Sequence, residues 1–203
     1  MVSKINTTHV GSLPRSKQLS ELLFSKDRQE TFDQKEFREV VKKNVNEVVK
    51  KQLDIGIDYI SDGEMSKISY ATYVKDRISG FSGESERRPP ADLEDFPEYM
   101  TKIAKSGGTP SYTRPCCTSD LEVKDTESLK DDVKNLNEAL TSNNHSSAFM
   151  NAASPGVINV FMPNKFYQND DEYLNRLSEL MAEEYEYITN NKLQLQIDCP
   201  DLA

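Results

Sequence analysis

The stretch TFDQKEFREVVKKNVNEVVKKQLDIG (31–56) runs without a break into IDYISDGE (57–64), and this junction limits the fold more than any other feature. Phe37, Val40, Val41, Val45, Val48, Val49 and Leu53 recur at spacings of three and four, so they form one apolar stripe along a helix. Asp33 and Glu36 stand at capping-box spacing at its start. Gly56 is placed to end it, as glycine does just past a helix. IDYIS (57–61) then reads as a strand with DGE at its tip. A long amphipathic helix feeding a short strand is the building unit of an α/β fold.

The same unit recurs along the chain. KINTTHV (4–10) predicts a short strand and residues 16–26 a polar, Leu-bearing helix. Residues 66–78 read as a weaker helix or loop, and SYTRPCC (111–117) as a strand. Residues 127–141 predict a helix with Leu129, Val133, Leu136 and Leu140 on one side. SSAFMNAAS (146–154) predicts a buried strand of small residues, ended by Pro155-Gly156 and followed by a loop carrying FMPNKFY. A helix over 170–190 precedes the last strand, where Leu193, Leu195 and Ile197 alternate with Gln194, Gln196 and Asp198. This order predicts about five parallel strands with right-handed crossovers, as a doubly wound sheet or as part of a (β/α)8 barrel. Residues 80–111 are rich in glycine and proline and predict a long loop excursion within a single domain spanning 1–203.

Bulk properties narrow the function. A chain of 203 residues can bury one sizeable core. Its net charge of −9 argues against nucleic acid and anionic membrane surfaces as partners. No apolar run approaches the ~18 residues of a membrane-spanning helix. Three cysteines, Cys116, Cys117 and Cys199, without a CxxC spacing, point to a reducing cytoplasm rather than a disulfide framework.

The chemistry gathers after the strands, in HVGS, SDGE, AASPG and IDCP. In a parallel sheet all carboxyl ends share one edge, where both open sheets and barrels bind ligands. Gly11 lets a ligand approach backbone N–H groups that suit a carboxylate. Glu64 and Asp198 offer two carboxylates for an amine, and Asp198 is also the candidate catalytic residue. Together they suit a small zwitterion such as an amino acid. Each has a plain structural alternative: Gly11 and Asp62-Gly63 as turns, Asp198 as a cap, His9 as a satisfied core histidine. Cys116 and Cys117 fit as small buried fillers, and Cys199 is the best-placed thiol. KSGGT lacks the spacing of a phosphate loop.

Taken as a set, TTHVGSLPR (7–15), GIDYISDGE (56–64), FMNAASPG (149–156) and LQIDCPDLA (195–203) resemble the catalytic-domain family of cobalamin-independent methionine synthase, in particular its shorter bacterial relatives. The resemblance implies a (β/α)8 barrel of the TIM type, here truncated after about five strands. It implies methyl transfer from a folate donor to the thiol of homocysteine, with zinc holding that thiol as a thiolate. Carried over by motif, the backbone of Val10, Gly11 and Ser12 would hold the homocysteine carboxylate, and Glu64 and Asp198 its amine. The Arg114–Cys117 stretch falls near the family's folate-contacting segment. The family's zinc ligands, a His, Cys, Glu and Cys set, have no matching positions in this sequence, so no metal ligand is assigned.

Two further readings stay open. The chain could be a non-catalytic or partner-dependent binding half, completed by a separately encoded second half or by a homodimer, because an unclosed barrel exposes two strand edges. It could also serve another chemistry of the same superfamily, a coenzyme M-type thiol transfer or a decarboxylation of the uroporphyrinogen type.

Overall fold

The computed structural model describes residues 4–86, 93–105 and 112–202. In chain order the helices are α1 (Lys17–Asp27), α2 (Gln34–Asp54), α3 (Val74–Arg77), α4 (Pro97–Lys105), α5 (Glu127–Ser142), α6 (Pro155–Phe161) and α7 (Asp170–Asn190). The strands are β1 (Phe81–Ser82), β2 (Cys116–Cys117), β3 (Phe149–Ala153) and β4 (Gln194–Asp198). Ser111 and Ala203, and parts of the expected 80–111 excursion, lie outside the described residues.

The long helices form where the apolar spacing places them. In α2, Val40, Val41, Val45, Val48 and Val49 are buried, and Phe37 and Leu53 pack against the same core. Asp33 caps α2 by accepting from the backbone N–H groups of Lys35 and Glu36 at 2.8 and 3.2 Å. The expected capping box is only half made, because the Glu36 carboxylate instead accepts from Gln18 Nε2 at 2.8 Å. In α5, Leu129, Val133, Leu136 and Leu140 are buried, and the helix packs against α2.

The wall behind these helices is a parallel ladder. Thr8 bridges Tyr59, Ile60 bridges Ala148, and β3 pairs with β4 from Phe149 opposite Gln194 to Ala153 opposite Asp198. All five β3 residues are buried, as a strand covered on both faces must be. β4 keeps its alternation only partly: Leu193 is buried, but Ile197 is 43 % exposed, since β4 pairs on one side alone among the described residues.

Two expectations are corrected. Residues 112–117, the described part of the expected 111–117 strand, do not supply a parallel wall strand between 57–61 and 146–154, because Ile60 meets Ala148 directly. Cys116–Cys117 pair antiparallel with Phe81–Ser82 instead, and Thr113 is tied to the buried Asp27 at the end of α1 through its N–H and hydroxyl at 2.8 and 2.9 Å. The described ladder therefore has four parallel segments rather than five, and it does not close into a barrel. Pro155-Gly156 opens a helix where a loop was expected. Proline suits the first turn of a helix, and Ser154 caps this one by accepting from Val157 N–H at 3.0 Å.

Candidate functional site

The carboxyl ends of the four parallel segments meet, and their polar groups join around one side chain. Asn151, the central residue of β3, is 4 % exposed and lies opposite Gln196 of β4. Its Nδ2 donates to Glu64 Oε1 at 2.7 Å and to Asp198 Oδ2 at 2.9 Å. Ionised carboxylates only accept, so the amide nitrogen rather than its oxygen must face them. The second Glu64 oxygen accepts from Ser12 Oγ at 2.5 Å, and the second Asp198 oxygen from Gln196 Nε2 at 2.9 Å.

Local backbone geometry aims Glu64. Its φ is 56°, in the left-handed region that side chains other than glycine rarely adopt, and Gly63 before it is at 65°. Three hydrogen bonds fix this turn. Asp62 Oδ1 accepts from Glu64 N–H at 3.0 Å, and Arg15 Nη2 donates to the Glu64 and Lys67 carbonyls at 2.9 and 2.7 Å. The DGE turn is thus a shaped element rather than an ordinary reversal, and Glu64 is only 2 % exposed. Burial lowers the pKa of Arg15, with Glu64 and Asp62 pulling it back up.

Beneath the site lies a buried charge network. Lys67, 1 % exposed, donates to the Asn151 carbonyl and stands 4.5 Å from the centre of the Tyr73 ring. The Tyr73 hydroxyl donates to Glu184 at 2.6 Å and accepts from Ala153 N–H at 3.2 Å. Burial, then the Glu184 charge, drives the Tyr73 hydroxyl well above the ordinary phenol range. Arg77 binds both Asp132 and Glu184. Beside the site, Tyr70 meets Phe161 edge to face at 5.5 Å, and the Arg114 guanidinium lies 4.6 Å over the same Phe161 ring. Burial raises the Tyr70 hydroxyl, Tyr112 adds to the rise, and Asp198 and Glu64 contribute further.

Of the residues singled out in the sequence, Ser12, Glu64 and Asp198 come together. Gly11 has a φ of 85°, which its lack of a side chain permits. The Val10 side chain is 58 % exposed. His9 Nε2 is buried without a hydrogen-bond partner among the described residues. Cys116 and Cys117 are buried, as fillers would be, and Cys199 is half-buried. Sequence reasoning missed Asn151, Arg15 and Lys67, although Asn151 and Arg15 lie inside two of the quoted motifs.

Among the described residues no group of three or more His, Cys, Asp or Glu side chains is placed to hold a metal ion. The cluster at the strand ends offers oxygen donors and amides, whereas zinc sites draw chiefly on nitrogen and sulfur. These residues do not fit a zinc ion, and no step is derived through one. No helix among the described residues is long and apolar enough to cross a membrane.

This architecture, a parallel ladder flanked by helices with its polar residues at one edge, is shared with solved enzymes. The chain superposes on a B12-independent methionine synthase from Shewanella sp. W3-18-1, solved in complex with selenomethionine, with a TM-score of 0.67 and 16 % identity over 96 % of this chain and 51 % of that one. It also superposes on a Listeria monocytogenes protein assigned as a vitamin-B12-independent methionine synthase, with a TM-score of 0.62 and 18 % identity over 97 % of this chain and 53 % of that one. The chain therefore spans about half the length of these structures. In sequence, residues 5–88 match the family model described as cobalamin-independent synthase, catalytic domain. No curated protein matches it.

Proposed function

We propose that the strand-end cluster holds the α-amino group of homocysteine and that the chain serves methyl transfer to its thiol in methionine biosynthesis. The observation that carries this reading is the convergence of Glu64 and Asp198 on the single amide nitrogen of Asn151. Two carboxylates kept this close, with no Lys or Arg ion-paired to either among the described residues, form a site for a ligand cation. The ligand carboxylate would face the backbone of Val10, Gly11 and Ser12. Asp198 touches the substrate amine and is the candidate catalytic residue. The flank of Tyr70, Phe161 and Arg114 suits a planar methyl donor such as a folate. In the transfer the sulfur gains the methyl group, and the thiol proton ends on the donor nitrogen. The selenomethionine in the Shewanella structure supports a sulfur or selenium amino acid as ligand. The match of residues 5–88 to the family model supports a (β/α)8 barrel as the parent architecture, and the three free cysteines suit a reducing cytoplasm.

Calorimetric titration of the chain with L-homocysteine tests the site. Glu64→Gln and Asp198→Asn should each weaken binding by about tenfold or more, the effect of losing a hydrogen bond to a charged group. Unchanged affinity in both variants would overturn the assignment.

One observation favours a partner-dependent version of this activity. Among the described residues β4 pairs on one side alone and Ile197 is exposed, and unpaired edges recruit strands from other chains. Light scattering would detect a homodimer, and co-expression with a second polypeptide would detect a complementing half. A monomer that methylates homocysteine alone would exclude both.

A further inference from the structure

We propose that Asn151 is the positioning residue that sets the gap between the Glu64 and Asp198 carboxylates and thereby selects ligands bearing a primary ammonium group. The inference rests on the amine-site reading above and adds to it the source of its selectivity. An amide nitrogen carries two hydrogens, and Asn151 gives one to each carboxylate, at 2.7 and 2.9 Å. Both donors are used, so the distance between the two acids is fixed by one atom. Ser12 and Gln196 take one lone pair each on the outer oxygens. Every carboxylate oxygen has two acceptor sites, so capacity remains for a ligand.

The choice of side chain matters because of charge. Two like charges at one point repel, and a neutral donor between them holds them without cancelling either. A lysine at this position would neutralise the site, and an aspartate would add a third negative charge. The amide alone donates to both acids, which an aspartate cannot do, and leaves the attraction for an incoming cation intact. Its own place is over-determined: the residue is buried in β3, registered against Gln196, and its carbonyl is held by the ammonium of Lys67. The two carboxylates cannot drift apart unless this side chain moves.

The test compares L-homocysteine with the same thiol acid lacking its amine, each titrated into the intact chain. The native protein should prefer the amine-bearing ligand by about tenfold or more. Asn151→Ala should bind the two ligands alike. A purely structural role would weaken both by one factor and keep their ratio. Asn151→Asp should abolish the preference, and adding Asp198→Asn to it, which restores two carboxylates and one amide, should recover part of it. If Asn151→Ala does not fold, this exchange pair carries the test. Retention of the native ratio in Asn151→Ala, or no recovery in the exchange pair, overturns the positioning role while the amine site stands. A native protein that does not favour the amine-bearing ligand overturns both.

Discussion

The ammonium of Lys67 donates to the main-chain carbonyl of Asn151, 84 residues away, from a position that is 1 % exposed. Besides this acceptor it has the face of the Tyr73 ring, and no carboxylate pairs with it directly among the described residues. Lys67→Met keeps the volume and removes the donor, leaving a buried carbonyl unmatched. We expect a loss of about 1–3 kcal/mol in stability by urea unfolding, together with weaker amino-acid binding. A variant as stable as the native chain and equal in binding would show that this bond holds nothing in place.

Arg77 is the keystone of the buried network. Its guanidinium binds Asp132 and Glu184, the latter at 2.8 Å, and stacks 4.8 Å from the Tyr73 ring centre. Burial favours its neutral form, but the two carboxylates outweigh that and hold it charged. Removing it strands two buried acids. Arg77→Met should cost about 3–5 kcal/mol, measured by urea unfolding. A loss under about 1 kcal/mol would mean that water reaches the two acids.

Acid should loosen the fold partly through Asp76. Burial alone would raise its carboxyl, but Lys26 at 2.9 Å and Lys75 at 3.4 Å more than offset that, so its folded pKa lies below the ordinary carboxylate value. A depressed carboxyl stabilises the fold above its unfolded pKa of about 3.9, and the contribution disappears as pH falls through the folded value. Asp76→Asn should therefore lower stability at neutral pH by about 1 kcal/mol, with the gap to the native protein closing below about pH 4. A gap that is constant with pH would place the effect in packing instead. Asp132 works in the opposite direction, because burial outweighs Arg77 and raises its carboxyl.

The three thiols should separate by accessibility. Burial pushes the Cys117 thiol up to about 11, and Cys116 is also buried, while Cys199 is half-buried. Thiolate is the reactive form, so a maleimide or disulfide reagent at neutral pH should modify Cys199 first. The other two should react only on unfolding. Mass spectrometry of the labelled peptides checks the order, and early labelling of Cys117 would show that β2 opens readily.

The helices were legible in the sequence because their signal is local. The valine stripe of α2 and the leucines of α5 follow a 3.6-residue period wherever they pack. Glu64 and Asp198 were legible because loops after strands share one edge, and Ser12 entered only through the family resemblance, for its backbone rather than for the hydroxyl that meets Glu64. The place of residues 112–117 was not, since alternation marks a strand without naming its neighbour, and the ties from Thr113 to Asp27 and from β2 to β1 decide it. Asn151 was hidden for a similar reason. Among small residues in a buried strand it looks like filler, and only the register that sets it opposite Gln196 brings it between an acid on a distant turn and one at the end of β4.

Ser12 and Asp198 reach the same cluster from opposite ends of the chain, through a ladder whose every rung must already be formed. On the proposed amine-site reading, a partly assembled form lacks the site. Ligand affinity is thus a gauge of completed folding, and a bound amino acid would act as a clasp, slowing the release of the outermost segments and raising the melting temperature in step with its concentration.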